Sequence, residues 1–207
     1  MKNPIDPAAS ALSAVACFSA GMSQLHQDVD TAQMRRVITG AANLIFAMKG
    51  RLILSGVGKS GHVARKLAAT FASTGTPAYF VHAAEASHGD LGMITPDDCV
   101  MAISWSGETR ELSDIVYYTR RMGIPLIAIT SKADSTLATN ATVAVIMPPA
   151  EEACPLKLAP TTSTLMQMMV CDTLAIGLLV RRGFSERDFR HFHPGGTLGA
   201  SLTLVRD

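Results

Sequence analysis

Apolar and polar positions fall into two patterns along the chain. Before residue 50, Met34, Val37, Ile38, Ala41, Leu44, Ile45 and Met48 recur three and four residues apart. That spacing puts them on one buried stripe of a helix. The helix is expected to start at an Asp28 or Asp30 cap, run to about Lys49 and stop at Gly50. An Ala-rich run from Pro7 to Met22, with Asp6 as its cap, predicts a helix ahead of it.

After residue 50, short apolar runs alternate with helical segments. Strands are expected at Arg51–Ser55, Pro77–His82, Asp98–Ile103, Ile124–Ile129 and Thr142–Met147. Helices are expected at His62–Ser73, Arg110–Met122 and Thr161–Arg182, the last ended by Gly183, with polar loops over Ala83–Thr95 and Pro148–Pro160. Such alternation implies crossover connections. The fold class is therefore α/β: a doubly wound, mainly parallel five-stranded sheet flanked by helices, with two leading helices. Its 207 residues suit one domain, with a helical lead-in at 1–50, an α/β core at 51–182 and a C-terminal catalytic loop at 183–207. Ligands of such sheets sit outside the carboxyl ends of the strands. The loops after Ser55, His82 and Ile103 all leave that edge and can converge.

The candidate chemistry lies on these loops. Ser104-Trp105-Ser106-Gly107-Glu108-Thr109 joins an apolar strand to a helix. A hydroxyl-rich Gly turn there offers donors without charge, next to the unpartnered amides of a helix start. The bland reading of the same turn is a hydroxyl N-cap with a capping-box Glu. Gly56 to Gly61 is a second Gly-rich turn. A nucleotide loop of the Walker type needs Gly where Leu54 stands, so its spacing fails. The letters of a dinucleotide fingerprint do fit Gly56, Gly58 and Gly61, but the second strand ends Phe80-Val81-His82 without the acidic residue that reading needs. Lys59 in this turn is a single cation able to meet a phosphate or a developing oxyanion. Ser55, Gly56 and Ser60 are candidate substrate contacts beside it.

Glu85 and His88 share a polar loop but lack a third ligand to define a metal site, so no metal is expected and His88 is at most an adventitious ligand. Glu151 and Glu152 open a loop that closes on Thr161, Thr162 and Ser163, a hydroxyl cluster at the mouth of an apolar helix. A carboxylate beside apolar residues can have a raised pKa and shuttle a proton. Asp172, inside that helix, reads as a hydrogen-bonded core or subunit-contact acid. His193, before Pro194, Gly195 and Gly196, is held in a defined loop and titrates in the range proton transfer needs. His26 and His62 read as ordinary helix-surface residues.

Composition narrows the partners. A formal net charge of +1 and no run of Lys or Arg disfavour nucleic acid. Only 17% of residues are charged and the mean hydropathy is +0.24, which suggests a surface partly covered by other subunits. Cys17, Cys99, Cys154 and Cys171 are widely spaced, as expected of free thiols in a reducing cytoplasm. Neither a signal peptide nor an apolar run of about 18 residues that would span a membrane is recognised.

Taken together, Gly56–Gly61, Glu85–Ile94, Ser104–Thr109, Glu152–Thr164 and Phe192–Gly199 resemble the sugar isomerase (SIS) domain family, and within it the arabinose-5-phosphate isomerases. The resemblance covers nearly the whole chain. It implies that Ser104, Ser106 and Thr109 bind a sugar phosphate, and that Lys59, Glu111, Glu152 and His193 line the catalytic site with His88 close by. It implies interconversion of D-ribulose 5-phosphate and D-arabinose 5-phosphate without a cofactor, supplying Kdo for lipopolysaccharide or capsule. It also implies a homotetramer whose active sites are shared, His193 acting in the adjacent subunit. Two departures stand out. The family pattern commonly has Gly where this chain has Lys157, and many relatives continue into CBS domains where this sequence stops at Asp207.

Overall fold

Five apolar runs pair into one all-parallel sheet in the computed structural model, which describes residues 6–195. The chain begins with α1 (Pro7–Val29) and α2 (Ala32–Ala47), then follows β1 (Leu52–Gly56), α3 (Gly58–Ser73), β2 (Ala78–Phe80) and α4 (Ala83–Ala86). It continues through β3 (Cys99–Ile103), α5 (Ser113–Met122), β4 (Leu126–Thr130), α6 (Thr136–Thr139) and β5 (Val143–Ile146). Two helices close it, α7 (Thr162–Arg181) and α8 (Glu186–Phe192). The strand order is β2-β1-β3-β4-β5.

Every residue of β1, β3 and β4 is buried because both faces of the sheet are covered. Strand periodicity sorts the side chains between two cores. Leu52, Leu54, Cys99, Met101, Ile103, Ile127 and Ile129 pack with α1, α2, α3 and α7 on one face. Ile53, Val100, Ala102, Leu126 and Ala128 pack with α4, α5 and α6 on the other.

Several boundaries differ from expectation. α1 runs past Met22 to Val29, and Thr31 caps α2 in place of Asp28 or Asp30, its Oγ1 accepting the Met34 amide at 3.1 Å. Asp30 instead ends α1 and pairs with Arg35. The expected loop after β2 contains α4, capped by His82 Nδ1, which accepts the Ala84 amide at 3.2 Å. The expected C-terminal loop holds α8, whose capping box is made by Ser185 and Asp188. The expectation that no segment is apolar enough to span a membrane is also corrected, since α1 and α7 both meet that length and composition. In α7 the reason is core packing: Met166, Val170, Cys171, Leu174, Ala175 and Leu178 are all buried.

The sheet edges are short. β2 has only 3 residues, and Arg65 lies over the Phe80 ring at 4.1 Å while Arg51 lies 5.7 Å from the Tyr79 ring centroid. At the entry end of the two central strands, Asp98 is 5% exposed and bonds on both sides. Its Oδ1 accepts the Arg51 amide at 2.7 Å, and its Oδ2 accepts the Thr95 amide at 2.7 Å and the Thr95 hydroxyl at 2.9 Å. Burial, then the Asp98 charge, pushes the neighbouring Cys99 thiol up to about 12. Gly50 makes this junction possible, because a Cβ there would lie 2.2 Å from Asp98 Oδ1. Gly50→Ala is expected to cost about 1–3 kcal/mol through overpacking, several degrees of Tm at this chain length. Thermal denaturation checks it, and an unchanged Tm contradicts it.

Candidate active site

Two loops leave the same sheet edge side by side. β1 pairs with β3 so that Gly56 stands opposite Ile103, and the strand order reverses direction between them. That is the point where open α/β sheets take ligands. α3 begins at Gly58, within the expected turn, so Lys59 and Ser60 occupy its first helical turn. Its N-cap residue Val57 makes no side-chain cap, which leaves leading amides available to an anion. Gly61 lets helix and strand meet, since a Cβ there would lie 2.7 Å from the Gly56 carbonyl oxygen. Ser55 is fully buried at the end of β1, and its hydroxyl has no hydrogen-bond partner among the described residues.

The hydroxyl turn after β3 is tightly organised. The buried Ser104 Oγ accepts the Gly107 amide at 3.1 Å and shares a 2.7 Å hydrogen bond with Thr109 Oγ1. The exposed Ser106 Oγ accepts the Glu108 amide at 3.2 Å. Gly107 has φ +67°, and a Cβ there would fall 2.1 Å from Ser135 Oγ, so both conformation and space exclude a side chain. The Trp105 carbonyl accepts the Thr130 hydroxyl at 3.1 Å, the Ser131 hydroxyl at 2.9 Å and the Ser131 amide at 3.0 Å. The turn feeds a 3-10 segment, Arg110–Leu112, and the α-helix starts only at Ser113. Thr109 therefore caps no α-helix directly. Glu108 is not a capping-box partner there either. It caps α6, accepting the Thr136 amide at 2.6 Å and its hydroxyl at 2.8 Å.

Glu152 is half-buried and faces the start of α7. Its Oε2 accepts the Thr161 amide at 2.7 Å, the Thr161 hydroxyl at 2.9 Å and the Ser163 amide at 3.4 Å. Desolvation raises its pKa, but the hydrogen bonds from Ser163 and Thr161 outweigh that and hold it below the ordinary carboxylate value. The expected raised pKa is thus corrected: Glu152 rests as a carboxylate, a base rather than an acid. Nearby, Lys157 has φ 53°, its amide donating to the Cys154 carbonyl at 2.7 Å and its Nζ lying 3.0 Å from Glu151 Oε1. The left-handed backbone explains why a glycine suits this position.

The other candidates divide. Thr161 is engaged by Glu152, whereas Thr162 is fully buried against α1, its Oγ1 3.7 Å from Cys17 Sγ. Ser60 Oγ donates to Gln167 Oε1 at 3.1 Å. Lys59, Glu111 and His88 are exposed; among the described residues, no ion pair joins Glu111 to Lys59. His193 sits at the end of α8, its ring stacked on Phe189 at 3.9 Å and its Nδ1 2.8 Å from the Phe189 carbonyl oxygen. No hydrogen bond brings it to Glu152 among the described residues, and Gly196 to Gly199 of its motif lie outside them. Asp172 pairs with Lys66, whose Nζ is 2.6 Å from Oδ1. No three His, Cys, Asp or Glu side chains gather as a metal-ligand set among the described residues.

Gln167 is a contact the sequence reading passed over. Its signal was a lone amide among Met166, Met168 and Met169 in an apolar helix. The depressed Glu152 pKa carries a pH consequence. Its stabilising contribution is present above the unfolded value, about 4.3, and is lost as pH falls through the lower folded value. Thr161→Val removes one donor and should move the Glu152 titration upward, read by carboxyl-carbon NMR. An unmoved titration contradicts the assignment.

A family model described as the SIS domain matches residues 45–177. Arabinose 5-phosphate isomerase KpsF of Escherichia coli is 50% identical over 190 residues, which are 91% of this chain and 57% of that protein. Arabinose 5-phosphate isomerase KdsD of Pseudomonas aeruginosa is 53% identical over 164 residues, 79% of this chain and 50% of that protein. The chain thus spans about half the length of the curated relatives it matches. Among solved structures, E. coli CFT073 c3406 in complex with arabinose 5-phosphate is 37% identical with a TM-score of 0.81, over 94% of this chain and 100% of that one. The matched segment contains all five strands and both loops of the switch point. The chain belongs to the SIS domain family.

Proposed function

We propose that this chain, a single SIS unit over residues 1–207, is an aldose–ketose isomerase interconverting D-ribulose 5-phosphate and D-arabinose 5-phosphate. The observation that carries the reading is Glu152, a carboxylate kept ionised by Thr161 and Ser163 donors at the mouth of α7. The names of the KpsF and KdsD relatives and the arabinose 5-phosphate complex of a similar structure support the substrate. The arabinose 5-phosphate formed would feed Kdo synthesis for lipopolysaccharide or capsule.

The phosphate is assigned to Ser104, Ser106 and Thr109. Since Ser104 and Thr109 share one hydrogen bond, one hydroxyl proton of the pair is left to donate to a phosphate oxygen. Ser55, Gly56, Ser60, His88 and Thr161 are assigned to the sugar end. Glu152 takes the C1 proton of the ketose and returns it to C2 of the resulting enediol. His193, placed in an adjacent subunit, moves the protons between O2 and O1, and Lys59 stabilises the enediolate charge. Glu111 orients Lys59 or a hydroxyl. Free thiols at Cys17, Cys99, Cys154 and Cys171 fit a reducing cytoplasm.

The assembly proposed is a homotetramer. Its support is the apolar surface of the long helices: Leu12 and Val15 on α1 are 72% and 57% exposed, and Ile176 and Val180 on α7 are 60% and 71% exposed. Ile176→Glu is expected to shift the protein to a smaller species by light scattering. An unchanged mass removes α7 from the interface.

The deciding experiment is NMR of D-ribulose 5-phosphate with the protein and EDTA in deuterated water. Arabinose 5-phosphate carrying deuterium at C2 is expected. Binding without conversion would make the chain a sensing module instead. Glu152→Gln should lower kcat about 10²- to 10⁴-fold with little change in KM. Turnover near wild type would take Glu152 out of the base role.

A further inference from the structure

Gln167 lies on α7, is 0% exposed, and is surrounded in sequence by Met166, Met168, Met169 and Val170. A buried primary amide is costly unless its hydrogen bonds are met. Only one of its bonds is met. Oε1 accepts from Ser60 Oγ at 3.1 Å, while Nε2 has no partner among the described residues. Methionine, close in volume and already frequent in this helix, would fill the space without that penalty. A half-satisfied polar group in a core works against stability and points to a role elsewhere.

The contacts on either side of Gln167 locate that role. About one helical turn earlier, Thr161 and Ser163 hold Glu152. Across the α3–α7 contact, the amide holds Ser60, the neighbour of Lys59 in the first turn of α3. One rigid stretch of α7 therefore sets where the Glu152 loop stands relative to the α3 terminus. It also sets how Ser60 can act. With its hydroxyl proton committed to Gln167 Oε1, Ser60 meets a ligand only through its lone pairs. Lone pairs accept from a hydroxyl and repel a phosphate oxygen.

We infer that Gln167 is a positioning residue that fixes Ser60 as an acceptor for a hydroxyl of the sugar, an assignment that rests on the isomerase reading above. The test is a double-mutant cycle of Gln167→Met and Ser60→Ala on the full chain. The Kd of D-arabinose 5-phosphate is measured by calorimetry with EDTA, alongside Tm and wild-type turnover. Gln167→Met is expected to weaken binding about tenfold, the value of one hydrogen bond, with Tm unchanged or higher. Ser60→Ala should weaken it similarly, and the double variant no more than either single one.

Wild-type affinity in Gln167→Met, a lowered Tm with affinity intact, or additive losses would each overturn the inference. If Gln167→Met fails to fold, Ser60→Ala decides alone, and wild-type affinity there overturns it. A wild-type protein that binds but does not turn over sinks the isomerase reading and leaves the cycle valid. One that does not bind overturns both.

Discussion

In-register pairing of β1 with β3 is the constraint on which the site depends. Because Gly56 stands opposite Ile103, the first turn of α3 and the Ser104 hydroxyl turn begin at the same height on the sheet edge. A slip of one residue would also turn each side chain to the opposite core. Asp98 fixes that register from the far end, tying the start of β1 to the start of β3 through the Arg51 amide. The ligand edge is thus set by a carboxylate at the opposite end of the strands. Gly50 and Gly107 serve the two ends in the same way, each sitting where a Cβ would meet an oxygen of a neighbouring side chain.

α7 carries the second half of the geometry. Its apolar residues lock it onto α3 and α1, and its start presents the amides and hydroxyl that hold Glu152. A carboxylate in that position is stabilised by fixed dipoles that do not reorient as charge moves, the condition under which such groups act efficiently on a reacting atom. Anchoring the base on a core helix rather than on the loop alone limits how far it can drift.

Most of the fold was legible because its signals were strong and local. Apolar runs bounded by Gly, Pro and polar residues marked all five strands, and the spacing of Met34 to Met48 marked α2. The candidate loops were legible because they follow those strands. What escaped had a weaker or non-local signal. The start of α3 at Gly58 was hidden by glycines that read as a turn, yet Gly58 adopts φ +58° and the helix proceeds from it. α8 was hidden by its shortness, although Ser185 and Asp188 spell its capping box. Glu108 and Gln167 were invisible as partners because their contacts, Thr136 and Ser60, are distant in sequence. The direction of the Glu152 pKa was misjudged for a similar reason: the donors that lower it come from beyond the intervening loop.

Both rims of the sheet are brief, with 3 residues in β2 and 4 in β5. Cations lie over the aromatic rings of the β2 rim. Short, charge-guarded rims offer poor templates for a foreign strand. The sheet is therefore finite by construction: it cannot lengthen sideways into a shared or fibrous ladder. Any second chain that joins this one must grip helix surfaces, which leaves the strand ends and the loops above them open to small molecules.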